Sequence, residues 1–463
     1  MPELIRAGHG LPTLRVVLER VAGTGDRPEE HAVLQATVGD EPPRPFYRCP
    51  TEELGLPDRI DAVPESAFRL PAAAAAAIAA AVAEMDATGV DPGALWLELP
   101  PPHGDLHLVP WERLLAPVVT DRPVLRVPYH TLRPRRSHDV FQVAVAATAS
   151  QAGLPRGVDL AAIVSAYARS WADSSKDTAR VHVFVRDEIA AGVRRGTAGL
   201  DHVVVHDPAM TADLAGSGAG SSISPADLST NPWLQWMSAA LGGEAVDVLH
   251  VLTYGNLSST GGRLLLARSP IAGGDRDACL LVGCTPLAGA QAQLGSWALV
   301  LSGLPGDPSP AALRDLADAI AQLRPGVSVA EAVPEHGTAD FDAAVARVFG
   351  HGPAVPSLPS LSCWVHPELV HYTAQQAGDL LLTPTGQSAV IAPATGSVLA
   401  GESTPAWVAA GSRFLETQQA DWIGSASVPP DPAAAEALRS VSALIDAHVT
   451  KHVLAPRGEE DPS

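Results

Sequence analysis

Lysine is almost missing from this chain. Of 31 basic residues only Lys176 and Lys451 are lysine, and 51 acidic residues leave a formal net charge of −20. No basic stripe is available to neutralise phosphates, which excludes nucleic acid as the expected partner. Arginine in place of lysine, with abundant Ala, Gly and Pro, is the compositional mark of a GC-rich bacterial genome. Long apolar runs are missing too, so no membrane insertion is expected. The nearest case, "PAAAAAAIAAAVAEMDAT" from Pro71 to Thr88, ends in charge and reads as a soluble helix. The opening "MPELIRAGHG" lacks the apolar core of a secretory leader, and a cytoplasmic location is expected.

Cysteine is scarce and unpatterned. Cys49, Cys279, Cys284 and Cys363 form no CxxC pair, so free thiols in a reducing compartment are expected. Cys279 and Cys284 lack two further metal ligands and read as small buried hydrophobes. The glycine-rich loop at Ala215 to Ser222 holds no GxxxxGK[ST] phosphate cradle, and no GxSxG nucleophile elbow occurs. No cofactor is expected.

What is present is a long, core-forming chain: 463 residues, 46% hydrophobic and 18% charged. Two alternating segments, "TLRVVLERV" and "HAVLQATVG", predict a β-hairpin with a long loop, followed by the Ala-rich helix. "GALWLELPPPHGDLHLVPWERLLAP" reads as strand, tight turn, strand, and a short helix entered through Pro110. "RPVLRVPYH" adds a strand, and "LRPRRSH" reads as a loop or boundary. From Val140 apolar strands alternate with helices, the mark of a largely parallel sheet covered on both faces. Ser309 is expected to cap, and Gly326 to end, the helix "SPAALRDLADAIAQLRPG". After Pro353 come a Pro-rich stretch, short strand-like pieces ("DLLLTP", "SAVIAP") and helical segments.

In "HGDLH", His103 and His107 flank Asp105 at alternate positions of the expected strand, where two imidazoles could chelate a metal from one face. The sequence offers no third ligand, so exposed turn histidines are expected and no metal is assigned. His366 and His371 of "HPELVHY" are five apart, which does not align them on a helix.

Catalysts in α/β folds gather at the C-terminal ends of parallel strands. Two such ends stand out, "VLHVLTYGNLSS" and "ALVLSGLPGD", separated by about 45 residues that read as one strand and one helix. Together with "LVPWERLLAP" these segments resemble the CHAT family of caspase-like cysteine peptidases. That family has a Pro-Trp-Glu motif, a strand ending in His-Gly, a hairpin strand, a helix, and a strand ending in Ser-Ala-Cys. Pro110, Trp111, Glu112, Leu114 and Leu115 match the first motif, and the likeness runs over roughly residues 90–350.

The resemblance implies a caspase-like three-layer α/β sandwich with a mostly parallel sheet. Residues 1–90 would add a β-rich element with the Ala-rich helix, 91–352 the CHAT-like domain, and 353–463 a Pro-rich segment and helical extension packing on the core. It also places the catalytic histidine at Tyr254 and the nucleophile at Leu304. Tyrosine is a poor base at neutral pH and leucine cannot attack. Substitutes would be Ser302, on the same strand face as Leu304, with His250, about 13 Å back from Tyr254 along its own strand. Cys284, which opens the intervening helix, is a further candidate nucleophile.

The expected function is therefore a catalytically inactive pseudo-peptidase that binds a protein or peptide partner as a regulatory subunit. By the resemblance, that partner is co-encoded in a bacterial conflict or defence system. The alternatives are an active divergent cysteine or serine peptidase with a non-standard dyad, and a small-molecule sensor. A distance below about 3.5 Å between Ser302 or Cys284 and a histidine nitrogen would favour the enzyme.

Overall fold

Pro12–Val21 (β1) and Glu29–Val38 (β2) form the expected antiparallel hairpin, with Leu14 opposite Ala36 and Val16 opposite Leu34. These four side chains share one face and are buried, as the two-residue period of a strand requires. The structure, a computed structural model, describes residues 5–6, 9–21, 29–38, 41–56, 64–88, 94–120, 122–131, 140–149, 154–174, 179–208, 231–272, 279–332, 338–349 and 358–371. All of these lie within one compact unit, Met1–Ala374.

Arg44–Pro50 (β3) pairs with β2 outside the predicted hairpin. The Ala-rich helix is Ala72–Asp86 (α1), burying Ile78, Val82 and Met85 on one stripe. Leu95–Glu98 (β4) then joins β1 in parallel, so the N-terminal hairpin continues the main sheet. The strand expected over "HGDLH" is instead a 3-10 helix, Gly104–Leu108. Gly104 takes φ +54, a left-handed turn that starts a coil of backbone rather than an extended run. Trp111–Leu115 (α2) follows, with Pro110 just outside the helix as its N-cap. Val124–Arg126 (β5) lies parallel to β4.

Strand and helix then alternate as the apolar patterning predicts: Phe141–Ala147 (β6), Leu160–Ser174 (α3), Ala179–Val185 (β7), Asp187–Gly196 (α4), Val203–Val205 (β8) and Pro232–Ala240 (α5). Val248–Ser258 (β9) runs directly into Gly261–Ala267 (β10), which pairs with a further strand, Cys279–Val282 (β11), before Cys284–Gln293 (α6). The span read as one strand and one helix thus holds two strands. Ala298–Gly303 (β12), Pro310–Leu323 (α7), Val327–Glu331 (β13), Ala339–Val348 (α8), Leu361–Trp364 (β14) and Pro367–His371 (α9) complete the described elements. Ser309 is the N-cap residue of α7, but its hydroxyl makes no capping bond; Asp307 Oδ1 accepts the Ser309 N–H instead. The "LRPRRSH" segment, the loop around Ala215 to Ser222 and all residues after His371 lie outside the described residues.

The result is a mixed α/β fold with a large, mostly parallel sheet in the order β3-β2-β1-β4-β5-β14-β13-β12-β9-β6-β7-β8. One face of its second half carries α3, α4 and α8, and the other carries α5, α6 and α7. β14 is antiparallel to β13 but parallel to β5, so two half-sheets of opposite direction meet at this strand. Among the described residues no helix is long and apolar enough to cross a membrane.

Candidate functional site

β9 and β12 are adjacent and parallel, with Val300 beside His250 and Ser302 beside Leu252. Residues two apart on a strand share a face, so His250 and Ser302 meet diagonally beneath α3. His250 Nε2 lies 2.8 Å from Ser302 Oγ. The distance criterion for a serine–histidine pair is met, but the direction of the protons is reversed. The indole of Trp171 donates to His250 Nδ1 at 3.0 Å, and an indole N–H can only donate. Nδ1 therefore carries the lone pair, Nε2 carries the hydrogen, and His250 donates to Ser302. Ser302 passes its own proton the other way, to Glu331 Oε2 at 2.6 Å, which Tyr167 also contacts at 2.7 Å.

A general base must accept the nucleophile's proton, and His250 cannot do so in this tautomer. Burial also pushes its pKa down to about 3, so the ring stays neutral. His250, Ser302, Tyr167 and Trp171 are each 0% exposed, and no substrate carbonyl reaches Ser302. Glu331 closes β13, and burial raises its pKa to about 7 against the opposing pull of the Ser302 and Tyr167 hydroxyls.

The positions implied by the CHAT resemblance carry neither an imidazole nor a thiol. Leu304 is fully buried in the same core. Tyr254 borders that core and donates its hydroxyl to Pro305 O at 3.2 Å; burial and the nearby Asp307 raise its pKa. Cys284 does stand at the start of α6, but burial, with Asp315 and Asp318 nearby, pushes its thiol up to about 11. A neutral thiol is a weak nucleophile.

The glycines and the Pro-Trp-Glu motif that carry the resemblance have packing roles here. A Cβ on Gly255 would stand 2.6 Å from Ser309 O, and one on Gly262 would stand 2.2 Å from Ala312 O. The β9–β10 ribbon thus lies directly on the first turn of α7. Glu112 forms a buried ion pair with Arg126, Nε to Oε1 at 2.6 Å, and accepts from Ser362 on β14 at 2.8 Å. Arg126 also stacks on the Trp364 ring, 4.5 Å from its centroid. Trp111 donates to Leu106 O at 2.8 Å.

Sequence reasoning missed Trp171, Tyr167 and Glu331, which decide what His250 and Ser302 can do. The one available signal was Glu331, an acid ending the strand "VSVAE". It missed equally that the "HGDLH" histidines are buried: His103 and His107 sit against Asp318 and Asp315 on α7. Asp105 interacts electrostatically with both histidines but is not among the atoms that converge there.

No family model, curated protein or solved structure matches this chain.

Proposed function

We propose that this chain is a non-catalytic binding protein, a pseudo-peptidase in the terms of its CHAT resemblance, that holds a protein or peptide partner as a regulatory subunit. The observation that carries the reading is the proton order Trp171 to His250 to Ser302 to Glu331. The one close serine–histidine pair among the described residues is enclosed and arranged so that the histidine donates. Succession of strand, hairpin, helix and strand from β9 through α6 to β12 supports the caspase-like part of the reading.

The surface offered to a partner is an open cleft of about 420 Å³, lined by Thr260, Arg263, Leu281, Cys284, Thr285 and Asp315. It lies beside β11, which pairs only with β10 among the described strands. Addition of an extended peptide to such a strand is a recurrent recognition mode.

Two measurements on the full chain test this. Incubated with casein, a peptide library and a serine-directed fluorophosphonate, the protein is expected to cleave nothing and to remain unlabelled. Purified from its native host, it is expected to retain a stoichiometric protein partner that Leu281→Arg releases. Cleavage that disappears in Ser302→Ala would overturn the proposal in favour of the hydrolase.

A further inference from the structure

His103 is the N-cap residue of the 3-10 helix Gly104–Leu108 and His107 lies in its last turn, and both rings turn towards α7. Their Nδ1 atoms share a single acceptor, the Gly104 carbonyl, at 3.0 and 2.8 Å. A carbonyl only accepts, so both Nδ1 atoms carry hydrogen and both Nε2 atoms present what remains to the same space. That space is bounded by two carboxylates one turn apart on α7. Asp318 Oδ2 lies 3.2 Å from His103 Nε2, and Asp315 Oδ1 lies 2.6 Å from His107 Nε2.

Two Nε2 lone pairs facing carboxylate oxygens repel unless something positive stands between them. A proton on His107 accounts for its short contact with Asp315. For His103 the amide of Gln322 is a partner at 3.2 Å, and it also contacts Asp318 Oδ2 at 2.7 Å. The remaining features are those that orient metal ligands. Each imidazole is fixed through its far nitrogen. Asp318 is anchored through Oδ1 by the Tyr129 hydroxyl at 2.8 Å and the Trp364 indole at 3.1 Å, leaving Oδ2 directed at the histidines. His103, His107 and Asp318 are all buried, so this is not an exposed acidic patch.

We propose that His103 Nε2, His107 Nε2 and Asp318 Oδ2 bind one divalent transition-metal ion of the zinc class, with water as the fourth ligand. Two imidazoles and carboxylate oxygen form the borderline donor set such ions take. One ligand atom from each of His103, His107 and Asp318 lies within 4.8 Å of the other two. Around a tetrahedral ion with bonds of about 2.0–2.2 Å the donors stand roughly 3.3–3.6 Å apart, so loading draws the rings inward and displaces the protons and the Gln322 amide. Asp315 also lines the open cleft, which gives the ion an entry path. A metal here clasps the segment leading into α2 onto α7, two pieces of chain more than 200 residues apart (the His107–Asp315 separation is 208). This inference stands whether or not the chain is a peptidase.

The test uses the full-length protein. After growth with added zinc and desalting, elemental mass spectrometry is expected to find close to one Zn²⁺ per chain. Stripped protein loaded with Co²⁺ is expected to show visible ligand-field absorption that Zn²⁺ abolishes. His103→Ala and Asp318→Asn should each lose the ion, Tyr129→Phe should bind it about 10–100-fold more weakly, and His9→Ala, in a separate histidine cluster, should bind normally. The Co²⁺ spectrum of the unaltered chain carries the test even if a variant fails to fold. Wild-type protein that takes up neither Zn²⁺ nor Co²⁺ at micromolar concentration would show the cluster to hold protons only. Full retention of metal in a His103→Ala/Asp318→Asn double variant would also overturn the assignment.

Discussion

Trp171 determines the character of His250. By donating to Nδ1 it places the ring hydrogen on Nε2, and the serine that could have been a nucleophile becomes a relay to Glu331. Ser302→Ala should therefore cost about 1–3 kcal/mol in urea unfolding, because it leaves the buried His250 N–H without its acceptor. Glu331 gives the pair a pH signature. Its acid form is favoured by the fold, with a pKa raised from 4.5 to about 7. Between those values the native protein binds more protons than the unfolded chain, and stability falls as pH rises. His250, lowered from 6.5 to about 3, works the other way, and its contribution falls as pH drops through that window. Glu331→Gln should remove the loss with rising pH and leave the His250 contribution unopposed, read as a urea midpoint that rises between about pH 5 and about pH 6.5, where the two opposing contributions of the unaltered chain nearly cancel. Sequence alone allowed His250 and Ser302 to meet only if their strands lay side by side in a favourable register, as they do. It could not show the proton order, because Trp171 lies 79 residues from His250 and Tyr167 lies 164 from Glu331.

At the scale of elements, the long apolar strands and amphipathic helices were legible, and the short or polar ones were not. β3 is flanked by prolines and half polar, and β11 is four residues long; neither has enough alternation to stand out. "HGDLH" alternates like a strand, yet a left-handed glycine at its start and helix contacts from α7 coil it. Gly255 and Gly262 both make close backbone contacts with α7 that strand periodicity does not announce. Gly262→Ala should destabilise by about 1–3 kcal/mol, with Ala312 forced away from the ribbon, as measured by thermal unfolding. Arg126→Met should cost about 3–5 kcal/mol by stranding the Glu112 carboxylate, and the double variant Arg126→Met/Glu112→Leu should recover most of that loss. A double variant no better than Arg126→Met alone would show that the Trp364 stacking, rather than the ion pair, dominates.

For the whole molecule, class was readable from alternation of apolar strands with helices, but strand order was not. β5 finds its outer neighbour in β14, a four-residue strand from a region whose sequence is Pro-rich. Nothing in "LSCW" announces that it joins two half-sheets. Hydrogen exchange should reveal the resulting layering: amides of β6, β9 and β12, covered on both faces, should exchange slowest, and those of the edge strands β3 and β8 fastest. Rapid exchange throughout β12 would contradict the burial of its six residues.

The joining strand has a consequence in time. Arg126 and Ser362, partners across the junction, are separated by 236 residues. At about 5–20 residues per second, the ribosome takes roughly 10–50 s to deliver β14 after β5 has emerged. Through that interval the nascent N-terminal half-sheet has an uncovered rim and an arginine awaiting its serine and its tryptophan. Such a rim is where a nascent chain pairs with the wrong neighbour, so the arrival of β14 sets how long this protein must be kept from itself.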